Sequence, residues 1–155
     1  MTDLSDLLLP ETVLERLAAA NKKSLFQQLS AAAAAAYGLD SAAIAEGLTK
    51  REKLGSTGFG SGVATPHARM AGLNHVVGVF ARLAQPIDFQ AVDDLPVDIV
   101  FMLLSPVDAG ALHLKALARV SRRLREHGFV DKLRGAGSRD AIYALLTADE
   151  ARDAA

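Results

Sequence analysis

Two periods of hydrophobic and polar positions divide this chain. Near its middle, "VVGVFARL" (76–83) and "VDIVFMLL" (97–104) are short apolar runs rich in β-branched residues, and they predict buried strands. Between them, "AQPIDFQAVDDLP" has the proline and aspartate content of a connection. Elsewhere the period is helical. In "NKKSLFQQLSAAAAAAYG", Leu25, Leu29 and Ala32 or Ala33 recur at helical spacing, with Asn21 or Ser24 to cap the start and Gly38 to end it. A second helix is predicted from Ser41 through "AAIAEGLTKREKL", stopped by Gly55. In "PVDAGALHLKALARVSRRLREHG", His113, Leu117, Val120 and Leu124 fall on one face, Lys115, Arg119, Arg122 and Arg123 lie towards the other, and Gly128 supplies the stop. A last amphipathic helix follows Ser138, with Ile142, Leu145 and Leu146 inward. "TVLERLAAA" has helical propensity but also permits a strand. Strands interleaved with helices predict one α/β domain over residues 1–155, its core spanning about 10–150, with a sheet covered by helices on both faces.

Composition narrows the class. Half of the 155 residues are hydrophobic and 23% are charged, a globular profile with enough chain for a real core. A formal net charge of −1 offers no basic field for nucleic acid. With no cysteine there are no disulfides and no thiol catalysis. The N-terminus lacks a basic region followed by a long apolar core, and no apolar run is long enough to span a bilayer. A cytoplasmic location without membrane insertion is the expectation.

Candidate chemistry concentrates in "GSTGFGSGVATPHARMAG" (55–72). A phosphate-binding P-loop needs Lys-Ser/Thr after its last glycine, and none is present. A dinucleotide fingerprint starting at Gly58 needs glycine where Val63 stands. His67, His75, His113 and His127 form no compact ligand set, so a metal is not expected. Pro66 fixes its own φ and pushes Thr65 towards an extended conformation, which puts His67 at a defined place. Glycine N–H groups beside it can present a nest to an anion. An imidazole there suits a nucleophile that accepts a phosphoryl group. A Gly-rich surface loop with an incidental histidine fits the same residues. Likewise, His113 alone reads as a core-edge histidine satisfied by backbone, and Arg51 as a solvated charge at a helix end. His75 and His127 read as surface residues, and Arg122 to Arg125 as a solvated face.

"LTKREKLGSTGFGSGVATPHA" resembles the phosphorylation-site region of the mannitol/fructose-type enzyme IIA domains of the bacterial phosphoenolpyruvate phosphotransferase system. "PIDFQAVDDLPVDIVFMLLSP" and "HLKALARVSRRL" resemble the family in the right order, and the wording is most similar to its nitrogen-related branch, IIA-Ntr. The resemblance implies a mixed sheet sandwiched by helices, in which "TVLERLAAA" begins as a strand. It implies that His67 is phosphorylated, that His113 sits beside it and helps hold the phosphoryl group, and that Arg51 lies near. It implies an HPr-like phosphocarrier (NPr) as donor, with no cofactor because the donor phosphoamidate is already activated. Regulatory targets would be potassium-transport regulators, a sensor kinase or an alarmone-metabolising enzyme. The alternative output is a IIB domain for fructose or mannitol uptake. Thr65 departs from the family's aliphatic residue before the proline, which touches only the detail of the pocket.

Overall fold

The computed structural model describes residues 4–148. Its strands and helices are β1 (Val13–Leu17), α1 (Lys22–Tyr37), α2 (Ser41–Leu54), β2 (Gly58–Gly60), β3 (Val63–Ala64), β4 (His67–Met70), β5 (Val77–Ile87), β6 (Val97–Pro106), α3 (Ala111–Leu124), α4 (His127–Gly135) and α5 (Arg139–Thr147). One six-stranded sheet runs β1-β5-β6-β3-β2, with β4 also on β6. β5 and β6 are antiparallel, whereas β1 lies parallel to β5, and β3 and β4 lie parallel to β6, so the sheet is mixed. The stretch 13–17 is therefore a strand: pairing with β5 overrides its helical propensity.

The place of β6 in the sheet explains why its sequence is uninterruptedly apolar from Ile99 to Leu104. Val100, Met102 and Leu104 face a core shared with Leu25, Leu29, Ile44 and Leu48 of α1 and α2. Ile99, Phe101 and Leu103 face a second core shared with Val120 and Leu124 of α3, Leu133 of α4 and Ile142 of α5. Side chains alternate along a strand, so burial on both faces needs apolar residues at every position. Each such side chain contributes about 1.5–3 kcal/mol of hydrophobic stabilisation.

The helix ends follow local chemistry. Asn21 caps α1 by accepting from the Ser24 N–H at 2.8 Å, and Gly38 ends the helix in the left-handed region. Asp40 caps α2 through the N–H groups of Ala42 and Ala43.

Three expectations are corrected. Gly128 does not stop a helix: α3 ends at Leu124 and Gly128 lies in the first turn of α4. Burying Phe129, Val130 and Leu133 of α4 against the second core outweighs the cost of about 1 kcal/mol for a helical glycine. Arg123 is not on a solvated face but is 4% exposed. Its guanidinium lies 3.6 Å from the centre of the Phe129 ring and pairs with Glu126, because α4 folds back over it. Finally, β5 runs into the expected connection as far as Ile87. Pairing lapses between Arg82 and Ile87, where Gln85 and Pro86 sit, and resumes at Ile87 opposite Val97.

Candidate functional site

His67 stands where one strand is broken into two. β3 and β4 pair with β6 in the same register, Ala64 opposite Val100 and His67 opposite Leu103. Thr65 and Pro66 interrupt them, and the Pro66 carbonyl still accepts from the Leu103 N–H at 3.0 Å. The missing proline N–H breaks the ladder without shifting it. Strand alternation then decides which way each residue faces. Ala68, opposite Leu104, belongs to the α1–α2 core, so His67, opposite Leu103, is on the α3 side.

Both ring nitrogens of the half-buried His67 are specified. Nδ1 lies 2.9 Å from the Thr65 carbonyl oxygen. A carbonyl only accepts, so Nδ1 carries the proton. Nε2 accepts from Arg51 Nε–H at 3.2 Å, which requires a lone pair there. The two contacts select the same neutral tautomer. Burial holds the imidazolium form below its ordinary range, and the positive charge of Arg51 pushes the same way against the Thr65 hydrogen bond.

His113 is the third residue of α3 and faces inward at 6% exposure. Its ring centre lies 5.3 Å from that of His67, with the planes tilted by 53°. Its Nδ1 is 2.5 Å from Oγ of Ser105, a fully buried residue near the end of β6. Burial lowers its proton affinity, as do the charges of His67 and Arg69. No residue caps the start of α3 through its side chain, so the positive helix end lies beside the pair and favours an anion over a second cation.

Arg51 reaches this pair from the last turn of α2, its Nη1 anchored on the Gly55 carbonyl at 2.9 Å. The structure thus brings His67, His113 and Arg51 together. His75 and His127 are exposed, as expected of surface residues. Among the described residues, no group of three or more His, Cys, Asp or Glu is arranged to hold a metal ion.

Several N–H groups of the expected anion nest are engaged within the chain. The Gly58 N–H donates to Ser56 Oγ, the Ser61 N–H to Asp93 Oδ2 and the Thr57 N–H to Glu52. What these glycines supply is close approach. A Cβ on Gly58 would sit 2.8 Å from the Ala91 Cβ, and one on Gly62 (φ +82°) would sit 2.5 Å from Arg134 Nη2. They let the β2–β3 hairpin fit against its neighbours and so hold the segment that leads to His67.

Sequence reasoning missed Ser105, Glu52 and the Thr65 carbonyl as parts of the site. Ser105 sits eight residues before its histidine across a turn, and no local pattern marks it. Glu52 stood in plain view as the neighbour of Arg51, but its contacts depend on how the following loop folds.

Residues 6–149 match the family described as phosphoenolpyruvate-dependent sugar phosphotransferase system, EIIA 2. A nitrogen regulatory protein of Bradyrhizobium diazoefficiens is 48% identical over 143 residues, covering 92% of this chain and 94% of that protein. The crystal structure of the nitrogen regulatory protein IIA-Ntr from Neisseria meningitidis superposes with a TM-score of 0.87 at 33% identity, over 93% of this chain and 99% of that one. IIA mannitol from Escherichia coli shares the fold, with a TM-score of 0.76 at 18% identity over 90% of this chain and 99% of that one. A match across nearly the whole chain, at these identities, means that the chain belongs to the EIIA 2 family of the phosphotransferase system, in its nitrogen-regulatory branch.

Proposed function

We propose that this chain is a histidine phosphocarrier that accepts a phosphoryl group on His67 from the phosphohistidine of an HPr-like protein (NPr). Its free and phosphorylated forms then bind regulatory targets differently. The observation that carries this reading is the tautomer of His67: Nδ1–H on the Thr65 carbonyl, and a lone pair at Nε2 beside Arg51.

In the step itself, the Nε2 lone pair attacks phosphorus in line. The new N–P bond forms as the donor's N–P bond breaks, and that electron pair returns to the donor imidazole. The His67 ring gains positive character, which the Thr65 carbonyl stabilises through Nδ1–H. Arg51 turns its N–H groups from the lone pair to the phosphoryl oxygens, and His113 lies close enough to donate to them. With the Gly58 N–H engaged by Ser56, these side chains are the groups best placed for charge stabilisation.

Exposed apolar residues support docking of a protein donor here. Leu112 and Leu114 flank His113 and are 61% and 64% exposed. Leu54, 84% exposed, closes α2 just beyond Arg51. The added negative charge of a phosphoryl group at such a surface can reject one partner or recruit another. Kinship with nitrogen regulatory proteins supports an output to potassium-transport regulators, a sensor kinase or an alarmone-metabolising enzyme rather than to a IIB domain of sugar uptake.

Mixing the protein with enzyme I, the carrier and phosphoenolpyruvate is expected to add one phosphoryl group to the intact mass, and His67→Ala is expected to abolish it. Equal labelling of that variant would overturn the assignment. Capture of the same partners by wild type, His67→Ala and His67→Asp would overturn the regulatory switch, and rapid transfer to a IIB domain would favour the transport role.

A further inference from the structure

Glu52 is a carboxylate in a costly place. Its side chain is only 7% exposed, and it stands in the last turn of α2, at the negative end of the helix. Specific partners offset that cost. Its Oε1 accepts from Thr57 Oγ1 at 2.6 Å, its Oε2 accepts from the Thr57 N–H at 3.0 Å, and Lys22 Nζ of α1 pairs with Oε2 at 3.1 Å. Both polar groups that Thr57 can donate are thus tied to one carboxylate.

The chain of contacts continues to the phosphoryl acceptor. The Thr57 carbonyl accepts from the Thr65 N–H at 3.0 Å, and the Thr65 carbonyl accepts from His67 Nδ1. The neighbouring Arg51 contacts Nε2 from the opposite side of the ring. Two consecutive residues of one helical turn therefore govern the two ring nitrogens, Arg51 directly and Glu52 through Thr57 and Thr65. Pro66 has no N–H to donate, so only its carbonyl, which accepts from the Leu103 N–H, ties that residue to β6, and the Thr57–Thr65 contact helps set where the Thr65 carbonyl points.

We infer that Glu52, acting through Thr57 and the Thr65 backbone, is a positioning residue that holds His67 as the Nδ1–H tautomer and aims Nε2 at the incoming phosphorus. The inference rests on the phosphocarrier reading for its functional consequence, but the tautomer itself is measurable without any transfer.

The test compares full-length wild type, Glu52→Gln, Thr57→Val and Thr57→Ser. Long-range ¹⁵N–¹H spectra report the His67 tautomer, and single-turnover transfer from the phosphorylated carrier reports the rate. In Glu52→Gln and Thr57→Val, an Nε2–H population is expected to appear. The rate at saturating donor is expected to fall about tenfold, the scale of a small misplacement of a reacting group, while the half-saturating donor concentration holds. Thr57→Ser keeps the hydroxyl and is expected to restore both readouts. If Glu52→Gln does not fold, the Thr57 pair decides alone. Folded variants with the wild-type tautomer and rate would overturn the inference. If the tautomer shifts as expected but the wild type takes its phosphoryl group elsewhere than His67, the phosphocarrier reading fails and the positioning role stands.

Discussion

The surroundings of His67 and the cavity between β2 and the α3–α4 turn are made of similar residues. The cavity, of about 170 Å³, is lined by Phe59, Ser61, Arg125, His127 and Arg134 among others, so it too offers a histidine, arginines and glycine-rich backbone. About 10–15 Å³ of such space holds one water molecule, so it is a real recess. Its cations are committed, however. Arg134 is bidentate to Asp98, at 2.8 and 2.9 Å, and donates to the Ser61 carbonyl, while Arg125 lies 4.5 Å from the centre of the Phe59 ring. His127 is exposed. At His67, by contrast, both nitrogens of a half-buried ring are specified, and the arginine faces a lone pair rather than a carboxylate. Phosphoryl transfer depends on orientation and on charge that is free to meet the developing anion, not on which residue types are present.

The largest expected contrast lies between the two arginines. Arg51→Ala should slow phosphoryl acceptance by about a hundredfold, the effect of removing one aimed donor from a developing anion. Arg125→Ala, like His127→Ala, should leave the rate unchanged. Single-turnover transfer from the phosphorylated carrier measures both, and equal losses would erase the distinction between the regions.

A smaller effect is expected from Arg134→Ala. It frees Asp98 and the Ser61 carbonyl, and water screens the pair, so denaturant unfolding should show a loss of no more than about 1 kcal/mol. Phosphoryl acceptance should persist in the folded fraction. A large loss of rate without loss of stability would make the cavity part of the transfer machinery.

The smallest expected effect is in pH. His67 and His113 both hold protons less readily in the folded chain than the ordinary value of 6.5. Below about pH 6.5 the unfolded chain therefore binds more protons than the folded one, and stability falls as pH drops through that window; above it, neither residue contributes. Lowered carboxylates such as Asp6 act in a separate, more acidic window. Unfolding free energies between pH 7.5 and about 5.5 should fall less steeply in a His67→Gln/His113→Gln double variant. Equal slopes would contradict the burial of the pair.

Much of the fold was legible in the chain. The two apolar runs became β5 and β6, each extended at its C-terminal end, because strands buried on both faces leave few polar positions, here Arg82 and Asp98, to confuse the pattern. The start of α1 was legible at Asn21, one of its two expected caps, and that of α5 just after Ser138, because capping is local, a side-chain oxygen accepting an N–H three residues on. The α3–α4 boundary was not, since Gly128 is a stop signal only when nothing downstream is worth burying, and Phe129 and Leu133 are. Arg123 was misplaced for the same reason: helical periodicity alone does not reveal a second helix folding over a polar face.

The resemblance to enzyme IIA domains singled out the site residues, and the sequence placed each of them locally: a histidine behind a proline, a second histidine near a helix start, an arginine near a helix end. Those are properties of short segments, set by dihedral restriction and periodicity. Tertiary packing was needed to show that His67 faces α3, that Ser105 holds His113, that the Gly58 N–H is spent on Ser56, and that Thr65 and Arg51 agree on one tautomer. Each of these is a hydrogen bond or facing set by strand register and by packing between elements. Which nitrogen carries a proton depends on what lies within about 3 Å of it, and the packed fold puts those neighbours there.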